Sequence, residues 1–175
     1  MASLKEIVTK AVLGKAKKKI TEELIVETDI KIDTVLGCWV INHSFTGEEV
    51  DSKVIIDGSY DVNIWYAYEN NTKTSVFVQT FIYRESINVK KKIKPLTSDN
   101  NEAIIRCLKV PSVANVELAE KKIKLKLEKE LGVELVGDMK VRINVEEDYD
   151  DYEEEIDEKE LDIKIKEDYI DDVNQ

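Results

Sequence analysis

The chain contains a single histidine, His43, and it is followed directly by Ser44. A histidine activates a serine only when the two side chains meet, and neighbours on a strand point to opposite faces of the sheet. The flanking residues have a strand-like pattern, so this pair is disfavoured and a structural role for His43 is predicted. The chain also lacks glycine-rich phosphate loops and a His-Glu-x-x-His motif, which removes the minimal signals of a nucleotide enzyme or a zinc hydrolase.

Acidic residues are the second group whose types could support chemistry. Asp57 and Asp61 alternate onto the strand face assigned to solvent, so a hydrolase that uses either of them with Glu69 is disfavoured. The dense acids beyond Glu146 could attract calcium, but they lack the mid-loop glycine and the spacing of a calcium hand. We therefore predict no enzymatic activity, no catalytic residue, no metal site and no cofactor.

The cellular compartment expected for the chain is consistent with its low cysteine content. No run approaches the ~18 uninterrupted apolar residues of a membrane span, and the N-terminus lacks the apolar centre of a secretory signal, so a cytoplasmic protein with no transmembrane segment is expected. Cys38 and Cys107 are the only cysteines, too few for a disulfide framework. They are predicted to be buried, inert thiols. The alternative is late cross-linking, within or between chains, in a compartment that becomes oxidising.

Charge is concentrated at the two ends of the chain. Residues 146–175 hold 16 Asp and Glu against three Lys, a net of −13; subtracting this from the total of −11 leaves +2 for residues 1–145. The first 20 residues contain six lysines and one glutamate. Neighbouring molecules could therefore attract one another head to tail. Nucleic acid is not an expected partner, because the lysine runs lack interleaved aromatic residues and the acidic end would repel a polyanion.

Helical spacing marks residues 1–20. Ser3 and Glu6 fit a capping box, and an apolar stripe at helical spacing follows them. The stripe consists of Leu4, Ile7, Val8, Ala11 and Val12. A basic amphipathic helix from about Ser3 to Lys19 is predicted. It could pack over its own domain, dock a partner or a second copy, or, least favoured because it lacks aromatic residues, lie on a membrane surface.

From Ile20 onward the apolar period changes to two, which predicts strands over a core domain of residues 21–145. Asparagines at 69–72 predict a hairpin turn, since asparagine tolerates left-handed backbone. The strand 76–83 has apolar residues on both faces and is expected at the centre of a sandwich. Alternation over 123–127 favours a strand there over a helix. The predicted fold is mainly β: an antiparallel β-sandwich with an N-terminal amphipathic α-helix and an acidic C-terminal tail.

The tail, residues 146–175, is too acidic to bury a core and is predicted to be extended. Within it, residues 161–166 alternate in a way that could add a short strand to a sheet edge. The predicted self-association residues are Leu4, Ile7, Val8, Ala11, Leu161, Ile163 and Ile165. The acids predicted to recruit cationic partners are Asp148, Asp150, Asp151, Glu153, Glu154, Glu155, Asp157 and Glu158.

Four segments carry a resemblance to a known family. They are Glu6–Val12, Trp39–His43, Tyr60–Tyr66 and Asn71–Thr74, in this order and followed by an acidic C-terminus. The chain resembles the spore outer-coat morphogenetic protein CotE family of endospore-forming bacteria, closely over residues 5–85, more loosely through the later strands, and only by composition in the tail. A cysteine at position 38, where better-known bacillus members carry glycine, indicates a clostridium-like member.

The resemblance implies a non-enzymatic homo-oligomeric scaffold, made in the mother-cell cytoplasm and deposited in the spore coat, that recruits other spore coat proteins. In that family the body of the protein is associated with self-multimerisation and the C-terminal region with recruitment. The residues by themselves support only an interaction module. The alternative is a monomeric β-sandwich binding module that holds a peptide or a carbohydrate on a face containing, for example, Trp65 and Tyr68.

Overall fold

Six long strands form two three-stranded sheets in the computed structural model, which describes residues 3–97 and 101–146. The strands are β1 (Ser3–Glu27), β2 (Ile32–Val50), β3 (Lys53–Tyr68), β4 (Lys73–Asn88), β5 (Glu102–Ala119) and β6 (Lys122–Val145). One sheet has the order β1-β6-β5 and the other the order β2-β3-β4. The described residues contain no helix. The mainly antiparallel β prediction is therefore confirmed, and the helix prediction is not.

Contacts divide the chain into two compact units. The larger unit is Ile7–Val141, and the described residues of the smaller one are 3–6 and 142–146. In the described part of the smaller unit, Arg142 Nε donates a hydrogen bond to Glu6 Oε1 at 2.9 Å. The side-chain cluster and the exposed apolar face described below belong to the larger unit.

The predicted N-terminal helix is wrong, because residues 3–19 form the first part of strand β1. On a strand, Leu4 and Val8 point to one face, while Ile7 and Ala11 point to the other. The apolar stripe that helical spacing predicts therefore does not exist as one surface. Residues three apart on a strand lie on opposite faces, whereas residues four apart lie on the same face. Apolar residues spaced by three and four therefore form one stripe on a helix but are divided between the two faces of a strand.

Contacts with residues distant in sequence favour a strand over a helix for residues 3–19. Gly14 lies in the middle of the predicted helix, where glycine costs about 1 kcal/mol relative to alanine. A Cβ atom at this position would collide with the main-chain oxygen of Lys90, so glycine permits the close approach of two chain segments. Lys15 lies 3.2 Å from Glu134 of β6. Such cross-strand pairs favour the register of β1 on β6, which no local helical pattern can encode.

The β2-β3-β4 sheet has β3 at its centre and a tight hairpin between β3 and β4. The turn predicted at 69–72 is confirmed: Glu69, Asn70 and Asn71 all have φ between 50° and 61°. The central position predicted for β4 is wrong, since β4 ends the sheet. Its residue Ile82 is 85% exposed, so part of the apolar content that indicated a central strand lies on an outer surface.

The two sheets share one hydrophobic core supplied mainly by their central strands, β3 and β6. Its fully buried side chains include Val54, Ile56, Val62, Ile64, Ile123, Leu125, Leu127, Leu131 and Leu135. Burial alternates with exposure from 123 to 127, which confirms the strand predicted there. Each such side chain contributes roughly 1.5–3 kcal/mol on burial. The core therefore fixes which face of each sheet remains outside.

Candidate functional site

A cluster of titratable side chains lies inside the core. Lys129 of β6 is 0% exposed, and its Nζ donates a hydrogen bond to Glu22 Oε1 at 2.5 Å. The phenol of Tyr60 donates to Glu22 Oε2 at 2.8 Å. Nζ of Lys129 also lies 3.8 Å from the centroid of the Tyr83 ring, a cation–π contact. The buried ammonium group is therefore compensated by a carboxylate and an aromatic face.

His43 extends this cluster towards Cys107. The register of β2 on β3 shifts between Ile41 and Ser44, and Asn42 adopts a φ of 54°, the geometry of a bulge. His43 Nε2 lies 2.7 Å from Tyr83 Oη, and His43 Nδ1 lies 3.8 Å from Cys107 Sγ. Cysteine–histidine pairs occur in nucleophilic catalysis, where the imidazole activates the thiol.

The electrostatics of the pair oppose catalysis. Burial raises the pKa of the Cys107 thiol, whereas burial and the nearby charge of Lys129 lower the pKa of His43. A catalytic cysteine needs the opposite arrangement, a thiolate beside a protonated imidazole. Burial also raises the pKa of Tyr83 to about 12, so its phenol is protonated at neutral pH. The cluster therefore consists of neutral groups around one compensated ion pair, as a structural network does.

One residue of this cluster, Lys129, could have been recognised as buried from the sequence pattern. Lys129 occupies a core position in the alternation that includes Leu125, Leu127 and Leu131, so the pattern places a lysine among buried residues. Glu22 precedes it by 107 positions, and no local signal joins the two. The cysteines are free thiols and half-buried rather than buried. Burial raises the pKa of Cys38 to about 11, which is consistent with low reactivity.

The outer face of the β2-β3-β4 sheet carries both tryptophans of the chain. Trp39 and Trp65 are each 43% exposed, and a Cβ atom on Gly37 would lie 3.6 Å from the first ring and 3.9 Å from the second. Exposed apolar residues of β2 and β4 continue the surface according to the strand register. This surface, called the tryptophan face below, consists of Trp39, Ile41, Trp65, Val76, Val78 and Ile82.

The two carboxylates beside this face accept hydrogen bonds from neighbouring side chains. Asp61 accepts hydrogen bonds from Asn42 Nδ2 at 2.8 Å and from Thr80 Oγ1 at 2.6 Å, and these bonds lower its pKa. Asp57 accepts two hydrogen bonds from Arg84, which lower the pKa of that carboxyl as well. Both carboxylates are ionised and engaged, so neither can serve as a general acid.

Trp65 and Tyr68, the pair suggested for a binding module, do not share a surface. They are three residues apart on β3, so their side chains point to opposite faces. The Tyr68 ring contacts Tyr66 with centroids 5.9 Å apart. The aromatic neighbour of Trp65 across the face is Trp39, and finding it requires the register between β2 and β3.

The predicted self-association residues are separated or lie outside the described chain. Leu4 and Val8 are well exposed on one side of β1, and Ile7 and Ala11 lie on the other. The tail residues Leu161, Ile163 and Ile165 and the acids from Asp148 to Glu158 lie outside the described residues. Among residues 3–97 and 101–146 no cluster of His, Cys, Asp and Glu could hold a metal ion. In the same ranges no helix is long and apolar enough to cross a membrane.

Comparison with known families identifies the chain. The family model described as outer spore coat protein E (CotE) matches residues 3–175. The chain belongs to the CotE family. The match includes the acidic tail, where the sequence resemblance reached composition only, and it confirms the resemblance to this family. This CotE-family chain is accordingly a spore coat protein. No curated protein and no solved structure matches the chain significantly.

Proposed function

We propose that this chain is a structural scaffold of the spore outer coat, which associates with itself and recruits other coat proteins without catalysing a reaction. It would be made in the mother-cell cytoplasm and then deposited in the coat. Membership of the CotE family is the observation that carries this proposal. The neutral state of the Cys107–His43 pair supports its non-enzymatic part.

The charge distribution of the body supports self-association. Residues 1–145 have a net charge of only +2, and a protein near neutrality repels its own copies weakly. Several lysines of β1 are already paired within the larger unit, for example Lys15 with Glu134 and Lys18 with Glu85. The basic N-terminus is thus less available for an acidic tail than its sequence indicates.

The tail is the better candidate for recruitment. Its net charge of −13 on 30 residues gives cationic proteins a concentrated target. Since β1 lysines are engaged by glutamates of the same body, much of this negative charge would remain available to other proteins. Recruitment of this kind is electrostatic and should weaken as salt increases.

The test compares three chains in a binding assay with cationic coat proteins. The first lacks residues 146–175; the second carries Glu153→Gln, Glu154→Gln, Glu155→Gln and Asp157→Asn. The matched control neutralises four exposed acids of the body, Glu23→Gln, Asp29→Asn, Glu48→Gln and Glu120→Gln. We expect the tail variants to lose recruitment and keep their thermal unfolding transition, while the control recruits normally. Undiminished recruitment by the shortened chain would contradict the proposal.

A further inference from the structure

The tryptophan face is a large apolar surface on a described sheet. Its exposed fractions correspond to on the order of 450 Å² of apolar side-chain area. Isolated exposed apolar residues are ordinary, whereas the largest contiguous patch on a monomer, about 300–600 Å², is often functional. We infer that this face is a self-association surface, on which two copies of the chain pack their β2-β3-β4 sheets against each other. This inference rests on the proposed function and names the surface that performs it.

The available area fits a second copy. A standard interface buries about 800 Å² on each partner, of which about 56–65% is apolar. One partner therefore contributes about 450–520 Å² of apolar area, and the tryptophan face offers an apolar area of the same order. Sheets pack face to face at a spacing of about 10 Å, so two such faces can interdigitate without any change of fold.

The composition of the face fits the same conclusion. Interface cores are enriched in tryptophan and depleted of charge, and their rims are polar. The charge nearest the centre is Asp61, which is occupied by Asn42 and Thr80. Further along the sheet, Asp57 and Arg84 form an ion pair with a shortest distance of 2.6 Å. A second copy would thus meet mainly apolar groups, one hydrogen-bonded carboxylate among them, and an ion pair further along the sheet.

Charge and hydrogen bonding disfavour the other occupants. The acidic tail would find no unpaired cation on this face, since Arg84 already binds Asp57. A carbohydrate needs free hydrogen-bonding groups beside the aromatic rings. Here each oxygen of Asp61 already accepts one hydrogen bond, and Asn63 is 6% exposed, with its Nδ2 buried and without a partner among the described residues. A face that is mainly apolar, with Asp61 as its one carboxylate not paired with a cation, is complementary chiefly to another mainly apolar surface.

The predicted contact closes on itself. When the same patch serves both partners, the contact is isologous, has twofold symmetry and produces a dimer rather than a filament. A coat scaffold built in this way would consist of dimers joined through a second surface. That second contact would lie elsewhere on the chain, and the inference does not require it.

The two tryptophans make the test direct. They are the only tryptophans in the chain and both lie on the proposed interface. Intrinsic tryptophan fluorescence therefore shows whether a second copy covers this surface. We expect sedimentation of the full chain over a dilution series to show a dimer that dissociates to a 20.1 kDa monomer. At the same concentrations the tryptophan emission should shift to the red and acrylamide quenching should increase.

A variant pair isolates the face. Val78→Lys places an ammonium group at its centre and should raise the dimer dissociation constant at least about 30-fold, the loss typical of an interface hot spot. Val110→Lys is the control, because Val110 is 67% exposed on β5 of the other sheet. The control should dimerise as the natural chain does. Circular dichroism of both variants checks that the fold is retained.

The outcomes separate this inference from the proposed function. If Val78→Lys assembles as the natural chain does and its tryptophan emission responds identically to dilution, the face assignment is overturned while self-assembly stands. A natural chain that is monomeric at every concentration overturns both. If that monomer also changes its emission only when a soluble polysaccharide is added, the face is a carbohydrate site instead.

Discussion

Replacing Glu22 by glutamine tests whether the buried ammonium group of Lys129 depends on its carboxylate partner. Lys129 has a side-chain exposure of 0%, and that of Glu22 is 23%. Removing one partner of a buried pair typically costs about 3–5 kcal/mol, because the other charge remains buried and uncompensated. Glutamine still offers an oxygen to Lys129, so we expect Glu22→Gln to lower the free energy of unfolding by about 3 kcal/mol.

The reciprocal change should cost less. Lys129→Met leaves Glu22 partly in contact with water and still bonded to Tyr60, so a loss of about 1–2 kcal/mol is expected. The double variant removes both charges, and its loss should be smaller than the sum of the single losses by about 1–3 kcal/mol. The asymmetry arises from which of the two groups water can reach.

Urea denaturation followed by circular dichroism, at one fixed protein concentration, measures these differences. The matched control is Glu128→Gln. Glu128 also has a side-chain exposure of 23%, and it pairs with Lys109 at 2.9 Å, but the Lys109 side chain is 44% exposed. An exposed pair of this kind contributes little to stability, because solvent screens it. Equal losses from Glu22→Gln and Glu128→Gln, or strictly additive single effects, would refute this account of the cluster.

Two further predictions concern the first strand and the histidine. Gly14→Ala would stabilise a helix by about 1 kcal/mol, but in β1 its methyl group meets the Lys90 carbonyl, so we expect a loss of about 1–3 kcal/mol in thermal or urea unfolding. A stabilising effect would contradict the close approach of β1 to Lys90. His43 has a pKa lowered by burial and by Lys129, so the unfolded chain binds a proton more readily than the folded one. Its contribution is therefore fully present above about pH 6.5 and is lost as the pH falls through the folded pKa. The pH dependence of stability below 6.5 should be shallower in His43→Gln, and an unchanged slope would show that other groups cause it.

Local periodicity predicted the parts of the fold that local contacts determine. Alternation from Ile20 onward, the strand at 123–127 and the asparagine turn at 69–72 all reflect which neighbours within a few residues share a face. The first 19 residues were predicted incorrectly because their apolar spacing fits a helix, whereas their strand structure depends on pairing with β6, more than 100 positions later. Periodicity indicates the secondary structure that each segment prefers in isolation, whereas the structure of β1 is determined by its pairing with β6.

Strand order is a second property that alternation does not contain. The apolar residues on both faces of β4 indicated a central position, yet the structure leaves Val76, Val78 and Ile82 on an outer face at the end of the sheet. A strand with apolar residues on both faces can be buried on both faces within the protomer. Alternatively, one face packs in the core and the other is available for contact with a second molecule. Trp65 shares the alternation of Asp57 and Asp61 and lies with them on the outward face of β3, but only the register of β2 brings Trp39 beside it.

In the proposed scaffold, the separation of charge from apolar surface has a physical reason. The same −13 spread over the body would make every pair of approaching copies repel, whereas on 30 terminal residues it leaves a body of +2. Screening at physiological salt extends over only about 8 Å, so tail charges held beyond that distance hardly oppose contact between two tryptophan faces. The two activities should therefore respond oppositely to salt: recruitment through the tail weakens as salt is added, while the apolar contact persists or strengthens. Sedimentation and binding measured on the same samples at low and high salt would distinguish them, and a parallel loss of both would mean that one electrostatic contact performs both tasks.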